Sequence, residues 1–246
     1  MIKFLKKKYR WIKFQLSVNW IKTLYFNFKM FPFQIAAKLP VYFYGSVKFT
    51  SLNGNIIIEA PIKRSMVGFG QQFELATRSK RTAEINLNGD LKIKGHVHIG
   101  KDYMIYIGVN AFCEFGHMVC LGSDVKLFCT NKIVLNNWAR IGYQSQVLDT
   151  NFHNMFNIVT KERYPLSSPI TIGSYNSIAN RNTIMQNTKT PDYCVVASNS
   201  LLNKDYTLLG NNILLAGVPA RLVRENFSRD WEGEKVSIEK FLIRKK

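Results

Sequence analysis

The chain has 246 residues, of which 46% are hydrophobic, and this apolar content suffices for a sizeable core and excludes wholesale disorder. Its formal charge of +18 is uneven, because residues 1–58 contain ten Lys or Arg and no Asp or Glu. Such an excess favours anionic partners; since no recognised nucleic-acid-binding module accompanies it, nucleic acid is not an expected partner. No apolar run approaches the ~18 residues of a membrane-spanning helix.

Residues 1–40 form a basic N-terminal extension. Its apolar residues recur at helical spacings of three and four, with most lysines off that stripe: Ile2, Leu5, Tyr9, Ile12, Leu16 and Trp20. A basic helix with aromatics is typical of peripheral contact with an anionic bilayer, so residues 1–30 are expected to bind a membrane surface. Packing of the helix on its own protein is the alternative.

The cysteines and the N-terminus indicate a cytoplasmic protein. Lys13, Asn19 and Lys22 interrupt the only candidate apolar core of a signal peptide. The cysteines form no CxxC pair and no zinc spacing, so we expect reduced, mostly buried thiols at Cys113, Cys120, Cys129 and Cys194. With the basic extension, this predicts a cytoplasmic protein at the inner face of the plasma membrane.

From about residue 45 the sequence changes to short β-type runs with a repeat of six residues. The aliphatic positions of this repeat are Ile93, Ile99, Ile105, Leu121, Leu127, Leu135, Ile141, Val147, Ile172, Ile178, Ile184, Val196 and Leu202, with Thr190 in the same phase. Six residues per side of a triangular coil would point one side chain per side inward, with Gly, Asn and Asp at the corners. Breaks in the repeat near 129–134 and at 149–169 predict loops. A β-sandwich is disfavoured, because period-two alternation is absent over 170–205.

Several motifs resemble the left-handed β-helix, hexapeptide-repeat acyltransferases. The closest branch is the bacterial polysaccharide and lipopolysaccharide O-acetyltransferases, relatives of the maltose, galactoside and serine acetyltransferases. The resemblance is strong over residues 120–224, looser over 45–119 and absent from the N-terminus. It rests on Pro-Ile-Thr-Ile-Gly at 169–173, Asn-Ser-Leu-Leu-Asn-Lys-Asp at 199–205, Ala-Gly-Val-Pro-Ala-Arg at 216–221 and Asp149-Thr-Asn-Phe-His153.

The resemblance implies an all-β, left-handed parallel β-helix over residues 41–224, followed by a short helical tail at 225–246. It also implies a homotrimer with each active site between two subunits, and acetyl-CoA as donor. The active-site loop would be 149–169. Two departures concern the donor contacts: Ser177-Ile178-Ala179 replaces the common Trp-Ile-Gly, and Thr190-Pro191 replaces an aliphatic-Gly pair.

The resemblance assigns His153 as the catalytic base. Transfer from a thioester to a hydroxyl needs a group that takes the alcohol proton, and imidazole titrates near neutrality. Asp149 would hold the imidazole or bind acceptor hydroxyls; capping of its own turn is an equal alternative. The donor contacts carried over by motif are Asn180, Ser198, Asn203, Lys204 and Arg221.

No metal is expected. His96, His98 and His117 would permit a zinc site like that of the related gamma-type carbonic anhydrases, but the paired histidines five residues apart of that family are missing. The basic residues at 78–81 are interpreted as a solvated loop, with contact to an anionic glycan as the alternative.

The function expected from these features is O-acetylation of a sugar hydroxyl in a surface polysaccharide or its lipid-linked precursor. The enzymatic alternative is N-acetylation of an amino sugar. A third hypothesis, from a different class, is a non-catalytic β-helix trimer that binds membrane or glycan.

Overall fold

The computed structural model describes residues 16–71, 79 and 81–243, and most of its strands are stacked in three parallel sheets that form the faces of a prism. Face 1 holds β1 (Val41–Phe43), β4 (Val67–Phe69), β7 (Val97–Ile99), β10 (Val119–Leu121), β13 (Arg140–Ile141), β16 (Ser177–Ile178), β18 (Val195–Val196), β20 (Leu214–Gly217) and β21 (Ala220–Arg224). Face 2 holds β2 (Val47–Leu52), β5 (Ala83–Leu87), β8 (Met104–Ile107), β11 (Lys126–Cys129), β14 (Gln146–Leu148), β17 (Thr183–Met185) and β19 (Leu201–Leu202). Face 3 holds β3 (Asn55–Ile58), β6 (Asp90–Ile93), β9 (Phe112–Phe115), β12 (Lys132–Leu135) and β15 (Ile170–Ile172).

The repeat of six residues forms the core, as predicted. On face 1, Ile141 pairs with Ile178 and Ile178 with Val196, and all three side chains are buried. Every other position of the repeat is also buried, including Thr190 at 3% exposure. The hydroxyl of Thr190 accepts a hydrogen bond from the Gly173 N–H at 3.0 Å, so this polar exception is satisfied inside the stack.

The corners of the prism differ in part from the expectation of Gly, Asn and Asp. At the corner between faces 3 and 1, the left-handed backbone positions are occupied by Met118, Trp138, Tyr175, Tyr193 and Asn212. The rings of Trp138 and Tyr175 stack at 6.0 Å, and those of Tyr175 and Tyr193 at 4.9 Å. Bulky residues are accepted there because stacking between coils offsets the backbone cost of about 1 kcal/mol.

A C-terminal helix covers this aromatic corner, which confirms the predicted helical tail. Helix α3 (Trp231–Leu242) begins at Asp230, whose carboxylate accepts a hydrogen bond from the Gly233 N–H at 2.9 Å. The indole of Trp231 contacts Trp138 edge-on at 6.1 Å and Tyr175 at 5.6 Å. The helix therefore seals the outer side of the corner between faces 3 and 1.

Two short helices close the N-terminal end of the prism. Helix α1 (Trp20–Met30) begins at Asn19, and α2 (Phe33–Ala36) follows it. Asn27 donates to the Val41 carbonyl at 2.7 Å and accepts from the Val41 N–H at 3.2 Å, so it pairs with the outermost strand β1. Phe26 inserts into the core beside Phe43, with 5.0 Å between ring centroids. The cap thus satisfies a sheet edge that would otherwise be open to another chain.

The predicted basic helix falls mostly on residues 1–15, which lie outside the described residues, as do Arg78 and Lys80. Within residues 16–71, 79 and 81–243, no helix has the length and apolar character to span a membrane.

A buried histidine at the aromatic corner should make stability depend on pH. Burial, with smaller contributions from His117 and Lys63, lowers the pKa of His96 to about 4 from an ordinary 6.5. Between pH 6.5 and 4 the unfolded chain binds more protons at His96 than the folded chain does. The free energy of unfolding therefore has its full value above pH 6.5 and decreases as the pH falls towards 4. We expect His96→Leu to remove about 1–2 kcal/mol of this dependence, measured by urea unfolding at pH 7.0 and 4.5. His153→Leu, at an exposed position, is the control; an equal slope in wild type and His96→Leu would contradict the assignment.

Candidate functional site

The 149–169 loop interrupts the coils between β14 and β15, as predicted, and a buried carboxylate holds its base. Both oxygens of Asp149 accept hydrogen bonds from the turn at the end of β11: from the N–H and hydroxyl of Thr130 at 2.8 and 2.9 Å, and from the Asn131 N–H at 2.8 Å. Asp149 is fully buried. The structure therefore places this carboxylate at the loop base, where both of its oxygens are bonded to the turn at residues 130–131.

Beyond its base the loop is an extended excursion with a tight tip. Thr150 and Ser167 form an antiparallel bridge, and Phe156 and Arg163 form a second one further out. Asn157 then closes the tip, because its side-chain oxygen accepts hydrogen bonds from the Val159 and Thr160 N–H groups. These contacts give the loop a defined path away from the prism.

His153 lies between the two bridges, and its side chain is exposed. The preceding residue, Phe152, has a left-handed φ of 60°, which turns the chain at this point, and its ring packs edge-on against Phe128 of face 2 at 5.7 Å. Within the described part of the chain, no hydrogen bond or ion pair holds the imidazole. An exposed imidazole on an anchored loop is free to meet a hydroxyl from outside the coil.

Three of the predicted donor contacts lie along one corner of the prism, between faces 1 and 2. Four small residues form a row across adjacent coils at this corner: Gly142, Ala179 and Ala197 each follow a strand of face 1, and Ala216 lies at the equivalent register position inside β20. Ala216 is in turn paired with Arg221 of β21. At ~4.8 Å per strand, the row from Ala179 to Arg221 is about 14 Å long.

The polar members of this corner are Asn180 and Ser198. The hydroxyl of Ser198 donates to the side-chain oxygen of Asn180 at 2.7 Å, across two adjacent coils. A glycine at the start of the row is required by close approach, since a Cβ on Gly142 would lie 2.6 Å from the Ala179 carbonyl carbon. The coils therefore stack closely at this corner, with polar groups beside the row and a cation at its end.

The structure places Asn203 and Lys204 at a different corner, between faces 2 and 3. Both are exposed, and the Lys204 ammonium lies 5.5 Å from the centre of the Tyr206 ring. This is the corner from which the 149–169 loop leaves the prism, one strand of face 2 away from the small-residue row. The predicted donor residues thus form two groups on one chain.

A cleft of about 320 Å³ opens at the start of the small-residue row, and part of its lining was not foreseen. Tyr143, Arg140 and Arg229 line it together with the segments 141–142 and 177–180. Arg229 comes from the tail, where its guanidinium packs 4.9 Å from the Trp231 ring and pairs with Glu234. The six-residue repeat cannot predict where the C-terminal tail packs on the prism. No signal in the sequence therefore identified Arg229 as a residue of this cleft.

The three histidines considered for a zinc site have other contacts. His98 forms a 3.0 Å hydrogen bond with Gln71, and His96 and His117 contact each other with ring centroids 5.8 Å apart. Among the described residues there is no cluster of three His, Cys, Asp or Glu side chains placed to hold an ion. The four cysteines are buried and form no disulfide, and burial raises the pKa of the Cys194 thiol to about 12.

Comparison with known proteins supports the fold. A Klebsiella pneumoniae protein, described as an uncharacterized 24.8 kDa protein in the cps region, is 27% identical to this chain over 144 residues. The match covers 58% of this chain and 62% of the Klebsiella protein, so this chain spans less than two thirds of that relative's length. The polySia-specific acetyltransferase NeuO has a similar structure, with a TM-score of 0.56, 18% identity, and coverage of 77% of this chain and 78% of NeuO. AntD, an N-acyltransferase from Bacillus cereus, aligns with a TM-score of 0.42 and 10% identity, over 85% of this chain and 96% of AntD. No protein-family model matches the sequence.

The likeness to NeuO, together with the three stacked parallel sheets, confirms the predicted left-handed parallel β-helix of the hexapeptide-repeat type. At 18% identity it establishes the fold and leaves the chemistry to the residues of this chain.

If Asp149 anchors the loop, its replacement should cost stability before it affects any proton transfer. We expect Asp149→Asn to lower the free energy of unfolding by about 2–3 kcal/mol, because one amide N–H group would then face a backbone N–H donor in a buried site. Urea unfolding measures this. Glu162→Gln, at an exposed acid of the same loop, should change stability by less than ~0.5 kcal/mol. Wild-type stability in Asp149→Asn, combined with loss of acyl transfer, would instead favour a direct chemical role.

Proposed function

We propose that the protein transfers an acetyl group from acetyl-CoA to a sugar hydroxyl, with His153 as general base. The observation that carries this proposal is the placement of His153: it is exposed on the one long excursion between the coils of residues 83–217, and that excursion is anchored by a buried carboxylate. The Asp149-x-x-x-His153 resemblance and the fold shared with a solved acetyltransferase support it.

The chemistry needs little beyond the imidazole and backbone N–H groups. A ring nitrogen of His153 takes the hydroxyl proton while the acceptor oxygen attacks the thioester carbonyl carbon. The tetrahedral intermediate collapses when the carbon–sulfur bond breaks, and the imidazolium returns the proton to the leaving thiolate. The products are the sugar ester and free CoA. Backbone N–H groups at the coil corners are suitable donors to the transient oxyanion.

The small-residue row is the proposed donor site. Its alanines leave room for an extended pantetheine arm, and the polar pair Asn180 and Ser198 lies beside the row. Arg221 is exposed at the far end, about 14 Å from Ala179, where a guanidinium would bind phosphate by charge-assisted hydrogen bonds. This site requires no metal.

A trimer would complete the site. The loop that carries His153 leaves the prism at the corner between faces 2 and 3, whereas the proposed donor row lies at the corner between faces 1 and 2. In a parallel trimer the loop of one subunit would overhang the row of the next. Ile158 and Val159, at the loop tip, are 75% and 89% exposed in the single chain, and such side chains are typical of a surface that becomes buried on assembly. Lys204 would then approach the donor phosphates from the same side as the loop.

The proposed acceptor is a surface polysaccharide or its lipid-linked precursor at the inner face of the plasma membrane. The shared fold with NeuO, a polySia-specific acetyltransferase, supports a polysaccharide acceptor. The absence of acidic residues from positions 1–58 favours a place near anionic headgroups, where a lipid-linked glycan is held.

The first test is removal of the base. His153→Ala should lower kcat for transfer to a glycan acceptor by about 10²–10⁴-fold, because the hydroxyl must then lose its proton to water. Binding of acetyl-CoA, measured by calorimetry, should be unchanged. Asn154→Ala, at the exposed neighbouring position, is the control and should keep full activity. Wild-type turnover in His153→Ala would overturn the proposed mechanism.

A separate screen of sugars and amino sugars as acceptors distinguishes O-acetylation from N-acetylation.

The donor site has a separate test. Acetyl-CoA should raise the Tm of the wild-type protein, and dephospho-CoA should raise it less. Arg221→Ala and Lys204→Ala should each raise the KM for acetyl-CoA more than they lower kcat, because a phosphate contact remote from the thioester contributes to ground and transition states alike. Arg224→Ala, another exposed arginine of β21, should leave KM unchanged. Equal losses in kcat and kcat/KM for Arg221→Ala would contradict a simple phosphate contact.

A further inference from the structure

The helix that closes the prism carries apolar side chains on both of its sides. The inner side of α1 presents Thr23, Phe26 and Asn27 to the first coil, and all three are buried. The opposite side carries a second apolar stripe at helical spacing, which is exposed and is continued by Phe33 at the start of α2. This outer stripe consists of Ile21, Leu24, Tyr25 and Phe28, with exposures between 42% and 81%.

An apolar outer surface is unexpected at this position. The end of a stacked-repeat protein usually carries a cap whose outer face is polar, because that face has no further coil to cover it. Here the inner face of α1 already completes the core through Phe26, so Ile21, Phe28 and Phe33 add nothing to the packing of the prism. The outer stripe is therefore suited to a partner outside the coil.

The charges around the stripe identify the kind of partner. Residues 16–58, which include the whole cap and the first coil, contain four lysines and no acidic residue. Lys22 and Lys29 lie on α1 itself, next to the outer stripe. Two copies docked end to end would bring like charges together, whereas an anionic lipid surface would neutralise the lysines and accept the apolar side chains. A basic helix with exposed aromatic and aliphatic residues suits the interface of a bilayer.

We propose that the outer stripe of α1 and Phe33 insert into an anionic membrane, so that the prism docks through its N-terminal end. Because α1 lies across that end, the prism axis then points away from the bilayer. Four strand spacings separate β2 from β14 on face 2, so the base of the 149–169 loop lies about 19 Å further from the membrane than the first coil. If His153 has the proposed function, it acts on sugars held at roughly this height. In a parallel trimer, three caps face the same membrane, and their combined affinity greatly exceeds that of one.

Vesicle flotation of the full-length protein tests the docking. Wild type should bind vesicles of phosphatidylglycerol and phosphatidylcholine more tightly than vesicles of phosphatidylcholine alone. The triple variant Ile21→Ser, Phe28→Ser, Phe33→Ser should weaken binding at least tenfold, since three apolar side chains lose their place in the interface. A matched triple variant at exposed positions elsewhere, Leu208→Ser, Val218→Ser, Val236→Ser, should bind like wild type. Unchanged binding by the first variant would overturn the proposal and assign lipid binding to the rest of the basic N-terminus.

A fluorescent label tests the orientation. The native thiols are buried, so an environment-sensitive dye can be attached to Phe28→Cys or, as a control at the C-terminal end of the prism, to Leu208→Cys. Vesicles should shift the emission of the Phe28→Cys label to shorter wavelength and leave the Leu208→Cys label unchanged. A shifted emission at Phe28→Cys before lipid is added would show that the chain itself or a second copy covers the stripe, against the proposal. Transfer to a soluble acceptor, measured on the flotation variants, separates this result from the proposed catalysis, which does not depend on α1.

Discussion

The structure depends on one geometric constraint, the registered stacking of coils around a single column of inward aliphatic side chains. Each strand pairs with the strand one coil away, so an inward residue such as Ile178 has a similar residue above and below it. Burial of these side chains, each contributing about 1.5–3 kcal/mol, stabilises the column. The offset of a residue within its coil then fixes the face or corner on which it lies, and this property converts a one-dimensional repeat into a rigid scaffold for a site.

A stack of coils has two ends, and this chain closes them differently. At the C-terminal end, β21 turns back and pairs antiparallel with β20, which completes face 1 with the chain's own strand. At the N-terminal end, the side chains of Thr23 and Asn27 bond to the backbone of β1 in place of a further coil. The first solution leaves Arg221 beside the small-residue row. The second leaves an apolar helix face exposed. Closing the stack therefore supplies the cation of the proposed donor site at one end and the surface of the proposed membrane contact at the other.

Asp149 shows how a motif residue can anchor a loop through its carboxylate. The resemblance implies that Asp149, four residues before His153, holds the imidazole or binds acceptor hydroxyls, with capping of its own turn as the alternative. In the structure its two oxygens bond to Thr130 and Asn131, in the turn one coil earlier. A carboxylate with three donors in a buried site is well satisfied there, and it fixes the direction in which the loop leaves the prism. The loop base thus fixes the position of the segment that carries His153.

The sequence by itself determined the repeat, the coiled arrangement of strands and the position of the long loop, because inward positions recur at a fixed interval and a long break in that interval is visible locally. The motif resemblance, and not the interval, supplied His153 as the candidate base. The shorter break near 129–134 is only a two-residue turn between β11 and β12. Only the tertiary structure decided which residues meet across coils or across the ends of the stack. In the folded chain Asp149 accepts a hydrogen bond from Thr130, and Trp138, Tyr175 and Tyr193 meet in one aromatic corner. Lys204 and Arg221 lie at different corners of the prism. These outcomes depend on the number of residues in each coil and on segments that fold back over it, and neither is encoded in a local pattern of six residues.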